Sequence, residues 1–230
     1  MSFPPRYAVL MDGAFLVRKL QDKLRAFPTA DQVESVATAI AGHECVKGLD
    51  RLRVYFYHAR PATGQLTNPL SKQTLNLAAT PVYSCHESLI DTLELRPDFA
   101  LRLGETSTAG WKLGDRAFKS LMGNPRNIAA NDLVPNIEQK GVDLRIGLDI
   151  ARLALTQSVQ AIITCTGDSD LIPAFKFARR EGLRVFLCHF GHGVKRDLKA
   201  HADRVIDIAL PAAPLGVTQP QPAPSIYVQA

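Results

Sequence analysis

Short apolar runs, alternating with stretches of helical spacing, confine this chain to a narrow set of folds. Tyr7–Met11 (YAVLM), Leu52–Tyr57 (LRVYFY), Ala161–Thr164 (AIIT) and Arg184–Leu187 (RVFL) are short, dense in apolar residues and well supplied with β-branched or aromatic side chains, so each reads as a buried strand. Helical spacing follows or separates them. Ala14–Arg25 carries Phe15, Leu16, Leu20 and Leu24 on one stripe. Asp31 is placed to cap a helix with Val33, Val36, Ala37 and Ile40 on one face. Asp143–Leu155 repeats through Ile146, Ile150, Leu153 and Ala154, and Leu171–Arg180 is helical too. Val194–Ala202 reads as a helix and Val205–Ile208 as a last strand. Strands that alternate with helices call for an α/β fold: a mainly parallel sheet with helices on both faces.

The stretch from Arg60 to about Gln139 is less regular. Pro61, Pro69, Pro81, Pro97, Pro125 and Pro135 punctuate it; Phe99–Leu103 (FALRL) alternates like a strand, and Ser71–Ala78 reads as a short helix. The expectation is one domain over residues 1–210, carrying this stretch (about 60–139) as an elaboration. A tail over 211–230, rich in Pro, Gln and Ala, is expected to be disordered. With 46% hydrophobic and 21% charged residues among 230, the composition is that of a soluble globular protein. No apolar run reaches the roughly 18–20 residues of a membrane span. The apolar stretch near the start is short and stops at Asp12, unlike a signal peptide. The expectation is therefore a cytoplasmic protein with no membrane partner. Cys45, Cys85, Cys165 and Cys188 are scattered without a C-x-x-C pair, so no disulfide framework is expected. The net charge of +5 is compatible with a polyanionic partner such as nucleic acid, and alone says little more.

In an open parallel sheet, ligands collect at the carboxyl ends of the strands where strand order reverses. Asp12 follows the first strand directly, although Asp12-Gly13 also reads as a turn. Asp168 and Asp170 follow the Ala161–Thr164 strand in Thr-Gly-Asp-Ser-Asp. Asp170, just ahead of a helix containing Pro173, also reads as its N-cap. Asp168 has no such role, because Gly167 already supplies the turn's flexibility. If the two strands are neighbours, three carboxylates meet and repel one another. A divalent cation removes that conflict, and all-oxygen ligands with water suit Mg2+ or Mn2+. Two further acids lie in Lys140–Asp149 (KGVDLRIGLD). Asp143 opens a helix, where a carboxylate also favours the helix dipole. Asp149, six positions on, does not share its helical face. It stands between Leu148 and Ile150, where burial demands a partner, metal or cation.

The runs MDGAF, QKGVDLRIGLDIA and ITCTGDSDLIPAFKFARREGLRVFL, in this order, resemble the NYN domain, a branch of the PIN-like nuclease superfamily. More narrowly they are similar to the bacterial LabA/DUF88 group, and the resemblance extends from Tyr7 to Ile208. It implies a PIN-like three-layer α/β fold, an acidic pocket that binds magnesium, and ribonuclease activity on RNA. Matched by motif, it implies a catalytic set of Asp12, Asp143, Asp149, Asp168 and Asp170. Of these, Asp12, Asp149, Asp168 and Asp170 are expected to hold the metal, with Asp143 behind them. One position departs: the family's first motif continues D-G-x-N, and Phe15 stands at the Asn.

Hydrolysis by a metal-activated water needs no side-chain nucleophile. None is evident, since neither G-x-S-x-G nor G-x-x-x-x-G-K-[ST] occurs. Substrate grip is expected from Lys140, Lys195 and Arg196, and from His189 and His192 in the loop after the Arg184–Leu187 strand. For each cation the alternative is a solvated helix face. The two histidines lack a second ligand pair at zinc spacing. A phosphatase of the haloacid-dehalogenase type needs a second Asp two positions after Asp12, where Ala14 stands. The alternative from another class is a non-catalytic RNA-binding or regulatory module that keeps the fold; a homodimer fits either reading.

Overall fold

On β1 (Arg6–Asp12), Tyr7, Val9 and Met11 pack into one apolar layer and Ala8 and Leu10 into another, all of them buried. A strand buried on both sides belongs inside a parallel sheet covered by helices on each face. The computed structural model, which describes residues 4–212, has that architecture. After β1 come α1 (Gly13–Leu24), α2 (Ala30–Ala41), β2 (Asp50–Ala59), a small hairpin of β3 (Gln65–Thr67) and β4 (Thr74–Asn76), and α3 (Pro81–Glu94). The chain continues through β5 (Phe99–Leu113), α4 (Asp115–Gly123), β6 (Leu133–Lys140) and α5 (Val142–Leu155). It ends with β7 (Ala161–Cys165), α6 (Ile172–Arg180), β8 (Arg184–Cys188), α7 (Arg196–Ala200) and β9 (Arg204–Ile206).

The main sheet has seven strands in the order β6-β5-β2-β1-β7-β8-β9, parallel except for β6. Buried residues of α1, α2 and α3 fill one core against it, and those of α5, α6 and α7 fill the other. This is the mainly parallel three-layer α/β arrangement of the PIN-like fold. From β1 the chain builds outward through β2 and β5, then crosses to β7, β8 and β9 on β1's other side. Strand order therefore reverses between β1 and β7, and a crevice opens at their carboxyl ends.

β5 serves two sheets' worth of pairing. Val54–Ala59 of β2 pair with its first six residues, and from Glu105 onward it continues past the end of β2 as an antiparallel ribbon with β6. Lys140 pairs with Glu105, so β6 brings the chain back to that same edge and α5 starts there.

Several local expectations are corrected. Asp31 is not the cap of α2: Thr29 is, in a reciprocal pair with Gln32, and Asp31 lies in the first turn. Ser71–Ala78 is not a helix; it contains β4 and the start of a 3-10 turn at Leu77–Ala79. The irregular middle contains the full helix α3, because Pro81 sits in its first turn, where the missing N–H costs nothing. Pro135 lies within β6, which tolerates it as the outer strand of the sheet. Among the described residues no helix is long and apolar enough to cross a membrane. Nearly all of the tail over 211–230 lies outside the described residues.

Candidate active site

Asp12 is the last residue of β1 and also the N-cap of α1, its carboxylate accepting from the Phe15 N–H at 3.1 Å. Asp12-Gly13 is thus no turn: the strand runs straight into the helix. Gly13 is needed for close approach, since a Cβ there would lie 2.6 Å from the Tyr57 carbonyl and 2.8 Å from the Phe56 ring.

The segment after β7 is held to Asp12 by Thr166. This buried hydroxyl reaches the Asp12 carboxylate at 3.4 Å and accepts from the Asp168 N–H at 3.0 Å. Asp168 caps the 3-10 turn Ser169–Leu171 by accepting from the Asp170 N–H at 2.9 Å. Asp170 does not cap the helix that contains Pro173: the N-cap of α6 is Leu171, with no side-chain cap, and Asp170 itself is exposed.

Electrostatics show which acids are gathered. The Asp12 carboxyl is raised from 3.8 to about 6, first by burial and then by the negative charges of Asp143 and Asp168, against the hydrogen bonds from Phe15 and Thr166. Asp143, on the first turn of α5, is also raised, first by partial desolvation and then by Asp168 and Asp170. Asp12, Asp143, Asp168 and Asp170 therefore share one field at the mouth of the β1–β7 crevice. None of them is in an ion pair with Lys, Arg or His among the described residues. Nor, among those residues, does any group of three or more His, Cys, Asp or Glu side chains lie where it could hold one metal ion.

Asp149 is placed differently. Its carboxylate accepts from the Tyr57 hydroxyl at 3.0 Å, from Arg102 at 3.0 Å and from Arg152 at 3.2 Å. Of the two partners its burial demanded, metal or cation, the structure supplies cations, and the carboxylate ties α5 to β2 and β5. It does not join the four acids of the crevice.

The expected grip residues are exposed or half-buried. Lys140 is exposed at the end of β6, and Lys195 and Arg196 are exposed at the start of α7, which packs against the Ser169–Leu171 turn. His192 is exposed and His189 half-buried in the loop after β8. Burial lowers the pKa of both; Lys199 is the next cause for His189, and Lys19 and Arg18 for His192. Sequence reasoning did not reach Thr166, Arg18 or Lys19, because each meets the site only through tertiary contact.

Residues 106–209 match the family model of the NYN domain. That part of the chain is similar to the NYN domain. This family belongs to the PIN-like nuclease superfamily. The matched span of the NYN domain opens in β5 and runs past β9, so it contains Asp143, Asp168 and Asp170, while Asp12 comes from the strand supplied ahead of it. A crystal structure of a protein of unknown function from Vibrio parahaemolyticus is similar at 15% identity and TM-score 0.49, covering 91% of this chain and 97% of that one. No curated protein matches the chain.

Proposed function

We propose that this protein hydrolyses RNA phosphodiester bonds at the crevice between β1 and β7, with a divalent cation, Mg2+ or Mn2+, drawn to Asp12, Asp143 and Asp168, one or two of which would hold it. The observation that carries the reading is the charge conflict at Asp12: a buried carboxylate facing two others, with no cation among the described residues to balance it. Structural acids elsewhere in the chain, such as Asp149 and Asp132, have arginine partners. The donor set fits a hard cation. Magnesium is held by one or two carboxylates with water and substrate phosphate completing its shell, so an incomplete protein cage is what such a site presents. When bound, the ion lowers the pKa of a bound water and neutralises charge at phosphorus.

The chain's own residues do the rest. Thr166 and the Phe15 N–H orient the Asp12 carboxylate, and the short Asp168–Asp170 turn fixes Asp168. Asp170 adds negative potential at the rim. Lys140, Lys195, Arg196, His189 and His192 would hold the flanking backbone phosphates and bases. The order MDGAF, KGVDLRIGLD, TGDSD supports a place in the LabA/DUF88 group. Phe15 in place of the motif's Asn favours the second reading, an RNA-binding module without catalysis.

The test is cleavage of mixed single-stranded and structured RNA with Mg2+, with and without EDTA, by the wild type and Asp168→Asn. Cleavage that EDTA and the substitution both abolish is the expected result. RNA binding without cleavage by either protein would select the binding module.

A further inference from the structure

Phe15 does not simply fill the position of a lost Asn; it is the base of an aromatic cluster beside the acids. Its ring, only 5% exposed, stacks on Phe190 at 6.1 Å and 29° and meets the edge of His192 at 5.6 Å and 63°. A Cβ at Gly167 would lie 2.9 Å from both the Phe15 and His192 rings, so the cluster abuts the residue that precedes Asp168. Lys19 Nζ donates to His192 Nδ1 at 3.0 Å and lies 5.7 Å from the Phe15 ring centre. The ammonium has no lone pair to share, so His192 accepts there and keeps its own proton on Nε2.

The turn that presents these rings is unusual. The His192 N–H donates to the His189 carbonyl at 2.8 Å, and both central residues have positive φ, 47° at Phe190 and 70° at Gly191. Asn, Asp or Gly is the ordinary occupant of the first central position, and a bulky aromatic side chain there is an outlier. Packing accounts for part of the Phe190 ring, which touches the core, but the residue is only half-buried. The strained backbone keeps a large flat side chain at the crevice mouth, next to an exposed neutral imidazole.

We infer that Phe190 and His192, backed by Phe15, form a stacking platform that seats an unstacked nucleobase beside the phosphate held at the Asp12 cluster. The inference rests on the reading of this site as an RNA phosphodiesterase and names the part of the substrate it selects. Aromatic side chains bind bases that expose a free face, whereas bases inside a duplex have both faces covered. Arg18 and Lys19, on the adjoining face of α1, supply positive charge for the next phosphate.

The test uses short single-stranded RNA carrying 2-aminopurine, bound to the full chain in an Asp168→Asn background, with fluorescence and affinity both read. Quenching of the probe on binding is expected. Phe190→Ala should abolish it and weaken affinity about tenfold, the value of one lost base stack. Phe190→Trp should restore both, and duplex RNA should bind more weakly and be indifferent to residue 190. Quenching and affinity unchanged by Phe190→Ala, equal losses on single strand and duplex, or no binding of single-stranded RNA would overturn the inference. Cleavage by the otherwise wild-type chain is measured separately. Unchanged kcat/KM in Phe190→Ala sinks the platform and leaves the nuclease reading standing. Absent cleavage with Phe190-dependent quenching sinks the nuclease reading and supports the platform.

Discussion

Tyr57 gives its hydroxyl to Asp149 at 3.0 Å, and the same tyrosine is the register partner of Asp12 on the neighbouring strand. Two buried acids thus flank one residue in opposite circumstances. Asp149 has two guanidiniums and a phenol, whereas Asp12 faces other carboxylates. Removing one partner of a buried ion pair strands the other charge. Asp149→Ala should therefore cost about 3 kcal/mol, at the low end of the range because both arginines are partly exposed. Asp168→Asn should stay within about 1 kcal/mol of the wild type. Urea unfolding of both variants checks this; equal losses would contradict the division between a structural and a functional acid.

Asp12 makes a prediction of opposite sign. Its folded-state pKa of about 6 exceeds the 3.8 of an ordinary Asp, so between those values the folded protein binds more protons than the unfolded chain. The ionised carboxylate then costs nothing below about pH 4, progressively more up to pH 6, and its full amount above. A shift of about two units corresponds to about 3 kcal/mol. In EDTA, Asp12→Asn should raise Tm above pH 6 and leave it unchanged near pH 4. Mg2+ should raise the wild-type Tm only on the alkaline side. A Tm difference independent of pH would refute the conflict at Asp12.

Most of the sheet was legible because β1, β7 and β8 are buried on both faces, which leaves continuous apolar runs. Asp12 and Asp168 were legible for the same reason, since an acid at the end of such a run has few structural uses. The middle of the chain was not. β5 leaves the sheet half-buried, β6 is an outer strand that accepts Pro135, and Pro81 begins a helix rather than breaking one. Asp149's need for a partner could be read, but not which one, because Arg102 lies 47 residues away in sequence. Thr166 and Phe190 carry no local pattern; their roles exist only once β1, β7 and β8 lie side by side.

A buried histidine pair couples stability to acid. His58 Nε2 lies 3.0 Å from His86 Nδ1, Gln139 reaches His58 Nδ1 at 3.3 Å, and Phe27 packs edge-on to His86. Burial holds His58 at about 4 and His86 at about 3, against 6.5 in an exposed chain. The unfolded chain therefore takes up protons first. Stability should be full above pH 6.5 and fall as pH drops from there towards 4 and 3. The urea midpoint should decline between about pH 7 and about pH 4.5, and decline less in His58→Gln/His86→Leu. Parallel declines would assign the acid sensitivity elsewhere.

The left-handed backbone at Phe190 can be tested without RNA. Phe190→Ala loses the ring and keeps the strained φ of 47°, while Phe190→Gly loses the ring and the strain together. Gly should therefore be the more stable replacement by about 1 kcal/mol. An Ala variant at least as stable as Gly in thermal unfolding would contradict a strained turn.

The cleavage rate of single-stranded RNA by Asp12→Asn at saturating Mg2+, set against the wild type with both proteins shown to be folded, bears most directly on the acidic crevice. The expected result is a measurable wild-type rate that falls by at least about a hundredfold in the variant, more than is lost when only a residue behind a metal ligand is changed. Equal rates in the two proteins, or RNA binding by both with cleavage by neither, would contradict it.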